Sequence, residues 1–216
     1  CGVEMVCLGV SASETHSRKN TGMGTAEATE RIVATARKAV EAGRKVQVSV
    51  QSAFGCGFEG FVPEERVLDI ARAYVDAGLL TIALADTAGH AYPEQVERLY
   101  GKLLALAPGI EAACHLHDTY GAGMANVYAA LRAGAVSLES SFAGLGGCPF
   151  TKVAAGNVAT EDLVHTLQRS GKRTDVDLEG LIAVAKDVEA FLGREMPGRV
   201  HRTGPVPQLR KQEASV

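Results

Sequence analysis

No stretch of the 216 residues is apolar over the length of a membrane span, so nothing in the sequence reads as a transmembrane helix. No sign of charge dominates either. Lys and Arg total 22 against 25 Asp and Glu, the formal net charge is −3, and the basic residues are scattered. That balance removes the electrostatic case for nucleic acid or an anionic membrane as partner. Cysteine is sparse and unpatterned: Cys1, Cys7, Cys56, Cys114 and Cys148 are odd in number, widely spaced and form no Cys-x-x-Cys. Neither a disulfide framework nor a zinc finger is supported, and reduced thiols are expected. The first residues, Cys1-Gly2-Val3-Glu4, lack the basic and apolar regions of a secretory signal, which leads us to expect a cytoplasmic protein. What is present is an ordinary core-forming composition, 46% hydrophobic and 22% charged.

Strand and helix patterns alternate along the chain. A strand at Val3–Val10 meets a polar segment up to Gly24, where Glu14, His16, Arg18, Lys19 and Asn20 crowd together. This segment reads as a loop, either solvated or ligand-binding. Thr25 can cap a helix carrying Ile32, Val33, Ala36, Ala39 and Val40, which Gly43 stops. Strands then fall at Val46–Val50 and Thr81–Ala85, at a stretch ending in Cys114-His115-Leu116-His117-Asp118, and at Val136–Ser140. Helices fall from Pro63 to Gly78, from Pro93 through Leu106, over roughly 121–133, and at Thr160–Arg169 and Leu178–Leu192. Three helix-to-strand joints share a form, Glu41-Ala42-Gly43, Asp76-Ala77-Gly78 and Arg132-Ala133-Gly134, a weak βα repeat. A Pro- and Gly-punctuated basic tail, loose or an interaction arm, is expected from Met196.

The last four strands each hand over to polar residues at their C-terminal ends: Gln51-Ser52, Asp86-Thr87, His115 with His117, and Ser140-Ser141. Parallel α/β folds put their sites there, and a barrel gathers all such ends around one mouth. A doubly wound sheet would more often carry a Gly-rich phosphate turn after its first strand, and Val10-Ser11-Ala12-Ser13 is none. The expected fold is therefore a (β/α)8 TIM barrel with about five βα units present, its first three strands missing before Cys1. Residues 1–195 read as the C-terminal part of that domain and 196–216 as the tail.

Within this frame His115-x-His117 puts two imidazoles on one face of a strand end. They are half of a metal site or a hydrogen-bonded pair, with Asp118 able to orient a ring or bind the ion. Gly144-Leu145-Gly146-Gly147-Cys148 delivers a thiol on a mobile loop, or is a Gly-rich turn with a buried Cys. Asn157, just before a helix, can cap it or offer a carbonyl oxygen to a hard cation. Asp86 can orient a ligand or base, or be a structural strand-end carboxylate.

The motifs Lys19-Asn20, Phe54-Gly55-Cys56 with Glu59-Gly60, Asp86-Thr87-x-Gly89, His115-x-His117-Asp118-Thr119, Gly144-Leu145-Gly146-Gly147-Cys148-Pro149 and Gly156-Asn157-x-Ala159-Thr160-Glu161-Asp162 carry a resemblance. From Val3 to about Val200 the chain resembles the 3-hydroxy-3-methylglutaryl-CoA lyases, metal-dependent lyases within a barrel superfamily of lyases and Claisen-type synthases. The resemblance implies that His115, His117 and Asn157 ligate Mg²⁺ or Mn²⁺, that Cys148 is the catalytic thiol, and that Lys19 and Asn20 lie near the CoA moiety. It implies retro-Claisen cleavage of an acyl-CoA to acetyl-CoA and acetoacetate, in leucine degradation and ketone-body formation, with a homodimer among the assemblies it allows. A divalent ion would lower the pKa of the 3-hydroxyl, with His115 as the candidate proton acceptor and Asp86 as a further catalytic candidate. Related synthases carry Gly-x-Gly-Glu-Arg where Cys148 stands, so the thiol argues for cleavage. Gln47-Val48-Ser49 replaces an expected Arg-Gly-Tyr, which makes Gln47 and Ser49 candidate substrate contacts and leaves room for a different acyl group. His90 after Asp86-Thr87-Ala88-Gly89 is a further unusual residue. The family's Arg-Asp pair on the first barrel strand has no counterpart here, so the metal site is short of a carboxylate and the chain alone is expected to be inactive. The alternatives are an aldolase or Claisen condensing enzyme of the same superfamily, and an inactive barrel fragment that binds rather than catalyses.

Overall fold

The computed structural model describes residues 2–147 and 156–207. Five strands form where apolar, often β-branched residues alternate with small or polar ones: Met5–Ser11 (β1), Lys45–Gln51 (β2), Thr81–Asp86 (β3), Glu111–Leu116 (β4) and Ser137–Glu139 (β5). All pairings are parallel and the order is β1-β2-β3-β4-β5. A doubly wound sheet reverses its strand order at a switch point, whereas a barrel advances strand by strand. The sequential order is therefore the winding of a TIM barrel.

Between the strands run α1 (Glu14–Thr21), α2 (Thr25–Glu41), α3 (Glu64–Asp76), α4 (Pro93–Leu104) and α5 (Gly123–Arg132). One face of the sheet is apolar, with Val48, Val50, Ile82, Leu84, Cys114 and Leu116 buried; Val67, Ile70, Tyr74, Val96, Leu99 and Leu103 of α3 and α4 are equally buried. Each such aliphatic side chain contributes about 1.5–3 kcal/mol. The Tyr74 and Tyr100 hydroxyls donate to the carbonyls of Ser49 and Ala113 at 3.0 and 2.8 Å, which satisfies two buried polar tips. By strand alternation the opposite face carries Cys7, Gly9, Gln47, Ser49, Gln51, Ala85, His115 and Glu139.

Two sequence readings are corrected. The polar stretch after β1 is a helix, α1, rather than a loop. It has no apolar stripe and is fixed at its ends: Ser13 Oγ accepts from His16 N at 3.1 Å, Arg18 and Lys19 sit in the last turn, and Gly22 closes it at φ 76°. Gly24, not Thr25, is the N-cap of α2, and the Thr25 hydroxyl donates instead to Ser11 O at 3.1 Å.

The chain divides into two compact units, Cys1–Ser141 with Gly146–Val158, and Phe142–Leu145 with Ala159–Val216. The second unit holds a turn at Phe142–Gly144, α6 (Thr160–Arg169), α7 (Leu178–Leu192) and α8 (Val200–Thr203). The stretch expected to be loose from Met196 is packed as far as α8: Met196, Val200 and His201 are buried. His201 is tied at both ring nitrogens, Nδ1 to Glu161 Oε1 at 3.0 Å and Nε2 to Glu189 Oε2 at 3.2 Å. The other Glu161 oxygen accepts from Ala143 N at 2.9 Å. Among the described residues no helix is long and apolar enough to cross a membrane.

Candidate functional site

A cavity of about 400 Å³ opens on the polar face of the sheet, lined among others by Asn20, Gln47, Ser49, His115, His117 and Asn157. His115 comes from the C-terminal end of β4 and His117 from just beyond it, where the strand pairs with the returning chain. His117 and Asn157 form an antiparallel bridge, flanked by Asp118 N donating to Gly156 O at 2.9 Å and Val158 N to Leu116 O at 3.0 Å. Two residues far apart in sequence are thereby fixed side by side. Gly146 sits against the Asn157 amide so closely that a Cβ there would collide with it, and its φ of 129° is glycine territory.

The two imidazoles converge, with His115 Nε2 and His117 Nε2 3.2 Å apart. Neighbouring donors in an octahedron of ~2.1 Å bonds stand ~3.0 Å apart, so this spacing suits one divalent ion between them. On its far side His115 Nδ1 lies 2.8 Å from Glu139 Oε2, the histidine–carboxylate arrangement typical behind metal-bound imidazoles. The donor set of two imidazoles and an amide oxygen fits an ion that also takes oxygen ligands from substrate or water. Among the described residues no three His, Cys, Asp or Glu side chains cluster into a cage of their own.

The remaining sequence candidates fall in three places. Gln47 and Ser49 line the cavity as expected, and so does Asn20, but the Lys19 ammonium lies 4.9 Å over the ring of Phe58 rather than on the cavity wall. Asp86 points to the opposite side of the sheet, fully buried, where Oδ1 and Oδ2 accept from His90 N and Ala91 N at 2.8 and 3.1 Å. Burial pushes its carboxyl up to about 6, a rise these bonds only partly offset. Asp118 accepts from Gly123 N at 2.7 Å, at the start of α5. Cys148 lies outside the described residues; its neighbour Gly147 lines the cavity. Cys114 is on the apolar face, where burial pushes its thiol to about 12 and keeps it protonated.

Sequence reasoning missed Glu139, and named Gln51, Thr87 and His16 only among polar strand-end and loop residues; all four line the cavity. Glu139 could have been suspected as a carboxylate inside a short strand, but its pairing with His115 is a matter of register between strands. His16 was hidden by the loop reading of α1; its burial lowers its pKa, so it presents a neutral ring.

Comparison with known proteins supplies the context. The HMGL-like family model matches residues 1–188. Hydroxymethylglutaryl-CoA lyase YngG of Bacillus subtilis is 38% identical over 198 residues, covering 92% of this chain and 66% of the relative. (R)-citramalyl-CoA lyase of Chloroflexus aurantiacus is 41% identical over 209 residues, covering 96% and 66%. A solved HMG-CoA lyase from Acinetobacter baumannii, in complex with coenzyme A and 3-methylmalate, superposes with a TM-score of 0.89 at 34% identity, over 95% of this chain and 67% of that one. The chain thus spans about two thirds of the length of these relatives.

Proposed function

The chain belongs to the HMGL-like family, and from that premise we propose that its site serves a divalent-metal-dependent carbon–carbon lyase that cleaves a 3-hydroxy-3-methylacyl-CoA to acetyl-CoA and a keto acid. The observation that carries the reading is the pair of Nε2 atoms 3.2 Å apart at the C-terminal end of β4, with Asn157 bridged to His117. His115, His117 and the Asn157 carbonyl would hold Mg²⁺ or Mn²⁺. When bound there, such an ion lowers the pKa of the substrate 3-hydroxyl and fixes its geometry.

The chain's own residues do much of the rest. His115 and His117 stand beside the place a 3-hydroxyl held at this site would take; with the one lone pair of His115 holding the ion, the hydroxyl proton is left to water in the cavity. Breaking the C2–C3 bond leaves the enolate of acetyl-CoA, which must take a proton at carbon. Cys148 is assigned that delivery, on the support that Gly147 beside it lines the cavity. Neutral His16 and the amides of Gln47 and Gln51 make the wall polar without adding positive charge. Asn20 at the end of α1, with Lys19 next to it, is assigned to the CoA side, on the support that Asn20 lines the cavity.

For the acyl group, 3-hydroxy-3-methylglutaryl-CoA is the first reading. Gln47 and Ser49, where Arg and Tyr were expected, favour a second: a related acyl chain, such as that of the citramalyl-CoA on which the Chloroflexus aurantiacus relative acts. Cleavage of the two thioesters would leave acetoacetate and pyruvate respectively. The deciding experiment offers both to the protein encoded by the complete reading frame, with Mg²⁺ or Mn²⁺, and identifies the keto acid. Acetyl-CoA release from one of them, abolished in His117→Ala, is expected; cleavage of neither overturns the proposal.

A further inference from the structure

A neutral imidazole offers one lone pair, and the nitrogen that keeps the hydrogen decides whether that lone pair faces an ion. For His115 the decision is made by residues outside the motif. Glu139 lies directly across from it in the β4–β5 register, with Oε2 2.8 Å from His115 Nδ1. The other carboxylate oxygen accepts the Gln47 side-chain amide, Nε2 to Oε1, at 2.5 Å. Gln47 is itself only 8% exposed on β2, so the carboxylate is gripped from two sides and cannot turn away. At the pH of the test below a glutamate is a carboxylate, and both of its oxygens can only accept, one from the Gln47 amide and the other from His115. The hydrogen must then sit on His115 Nδ1. Nε2 carries the lone pair, and Nε2 is the atom that faces His117.

We infer that Glu139, braced by Gln47, is a positioning residue that locks His115 in its Nδ1–H form and so presents Nε2 as a metal ligand. The inference rests on the metal-site reading above and deepens it. It adds a brace to the place of Gln47 on the cavity wall: its side-chain nitrogen donates to Glu139. It also separates the two histidines. In the metal-free chain His115 Nε2 accepts, so His117 Nε2–H is the donor across the 3.2 Å gap. His117 must therefore give up or relocate its hydrogen before it can ligate, whereas His115 is preset.

The test reads tautomers directly. In the histidine-¹⁵N-labelled chain at pH 8 without metal, long-range ¹H–¹⁵N spectra are expected to show His115 as Nδ1–H and His117 as Nε2–H. In Glu139→Gln the Nε2–H form of His115 becomes populated, and Mn²⁺ affinity, followed by water-proton relaxation, falls roughly 10- to 100-fold. Glu139→Asp, which keeps the charge, restores part of both. An Nε2–H His115 in the wild-type chain overturns the lock and needs no variant to fold. So does an unmoved tautomer in Glu139→Gln whose Mn²⁺ response is still lost on His117→Ala. Mn²⁺ binding that is indifferent to both His115→Ala and His117→Ala instead sinks the metal-site reading, and with it the purpose assigned to the lock.

Discussion

Asp86 shows how one atom's surroundings separate two readings of a carboxylate. It sits at a strand end where polar residues gather, yet alternation turns it to the apolar side, and burial raises its carboxyl to about 6 from 3.8. Because the folded pKa is the higher one, the folded chain binds the proton more tightly than the unfolded chain between those two values. Its contribution to stability is thus full below about pH 4 and is lost as pH rises through 6. A shift of about two units corresponds to about 3 kcal/mol at most. Asp86→Asn should flatten this part of the stability–pH profile, at a constant cost of about 1 kcal/mol for one weakened backbone bond. Urea melts at pH 4.5, 5.5, 6.5 and 7.5 check it; an undiminished slope in the variant contradicts the assignment. His115 and His117 were legible at this scale because a period of two puts both rings on one face. Glu139 was not, because nothing local says which residue lies across from a histidine on the next strand.

Elements held by their ends rather than by an apolar stripe escape pattern reading, and α1 is the case in point. Only His16 and Ser17 of its eight residues are buried, so its existence depends on Ser13, Glu14 and Gly22. Ser13→Ala should cost about 1 kcal/mol and raise amide exchange across residues 14–21. Exchange unchanged from wild type would show that packing, not the cap, holds the helix. The second unit offers the reverse case, an element pinned by one side chain. Both ring nitrogens of His201 are engaged, and both His201 and Glu161 have fully buried side chains. His201→Ala leaves the Glu161 carboxylate with one partner fewer in a dry setting, a loss on the order of 3 kcal/mol. A thermal or urea melt reads it, and a change below about 0.5 kcal/mol would show the ring to be replaceable. Charge and proline content made residues beyond Met196 look like tail. Their burial arises from partners on α6 and α7 that no local window contains.

At the scale of the molecule, the described sheet is sequentially wound and its candidate ligands gather at one end. The chain matches about two thirds of the length of relatives that are lyases. The proposed ligand set of His115, His117 and Asn157 contains no carboxylate, and among the described residues no three His, Cys, Asp or Glu side chains cluster into a cage. The Arg-Asp pair that the resemblance leads one to expect does not occur in these 216 residues. The 216-residue chain alone, given Mg²⁺ and 3-hydroxy-3-methylglutaryl-CoA, should therefore release no acetyl-CoA above background. Clear turnover would show that the residues in hand complete the site by themselves.

The sequence by itself determined what short-range chemistry decides. Hydropathy periods set strand and helix, Gly and Pro set most of their ends, and the spacing of His115 and His117 set their shared face. Its motifs were specific enough to identify the family. Only the tertiary structure decided what depends on which strands meet. It brought Asn157 beside His117, forty positions earlier in sequence, through a bridge, turned Asp86 out of the cavity, and set Glu139 and Gln47 behind His115. The physical reason is the same in each case: hydrogen-bond register and side-chain burial are properties of pairs of segments, and a single segment carries no record of its partner.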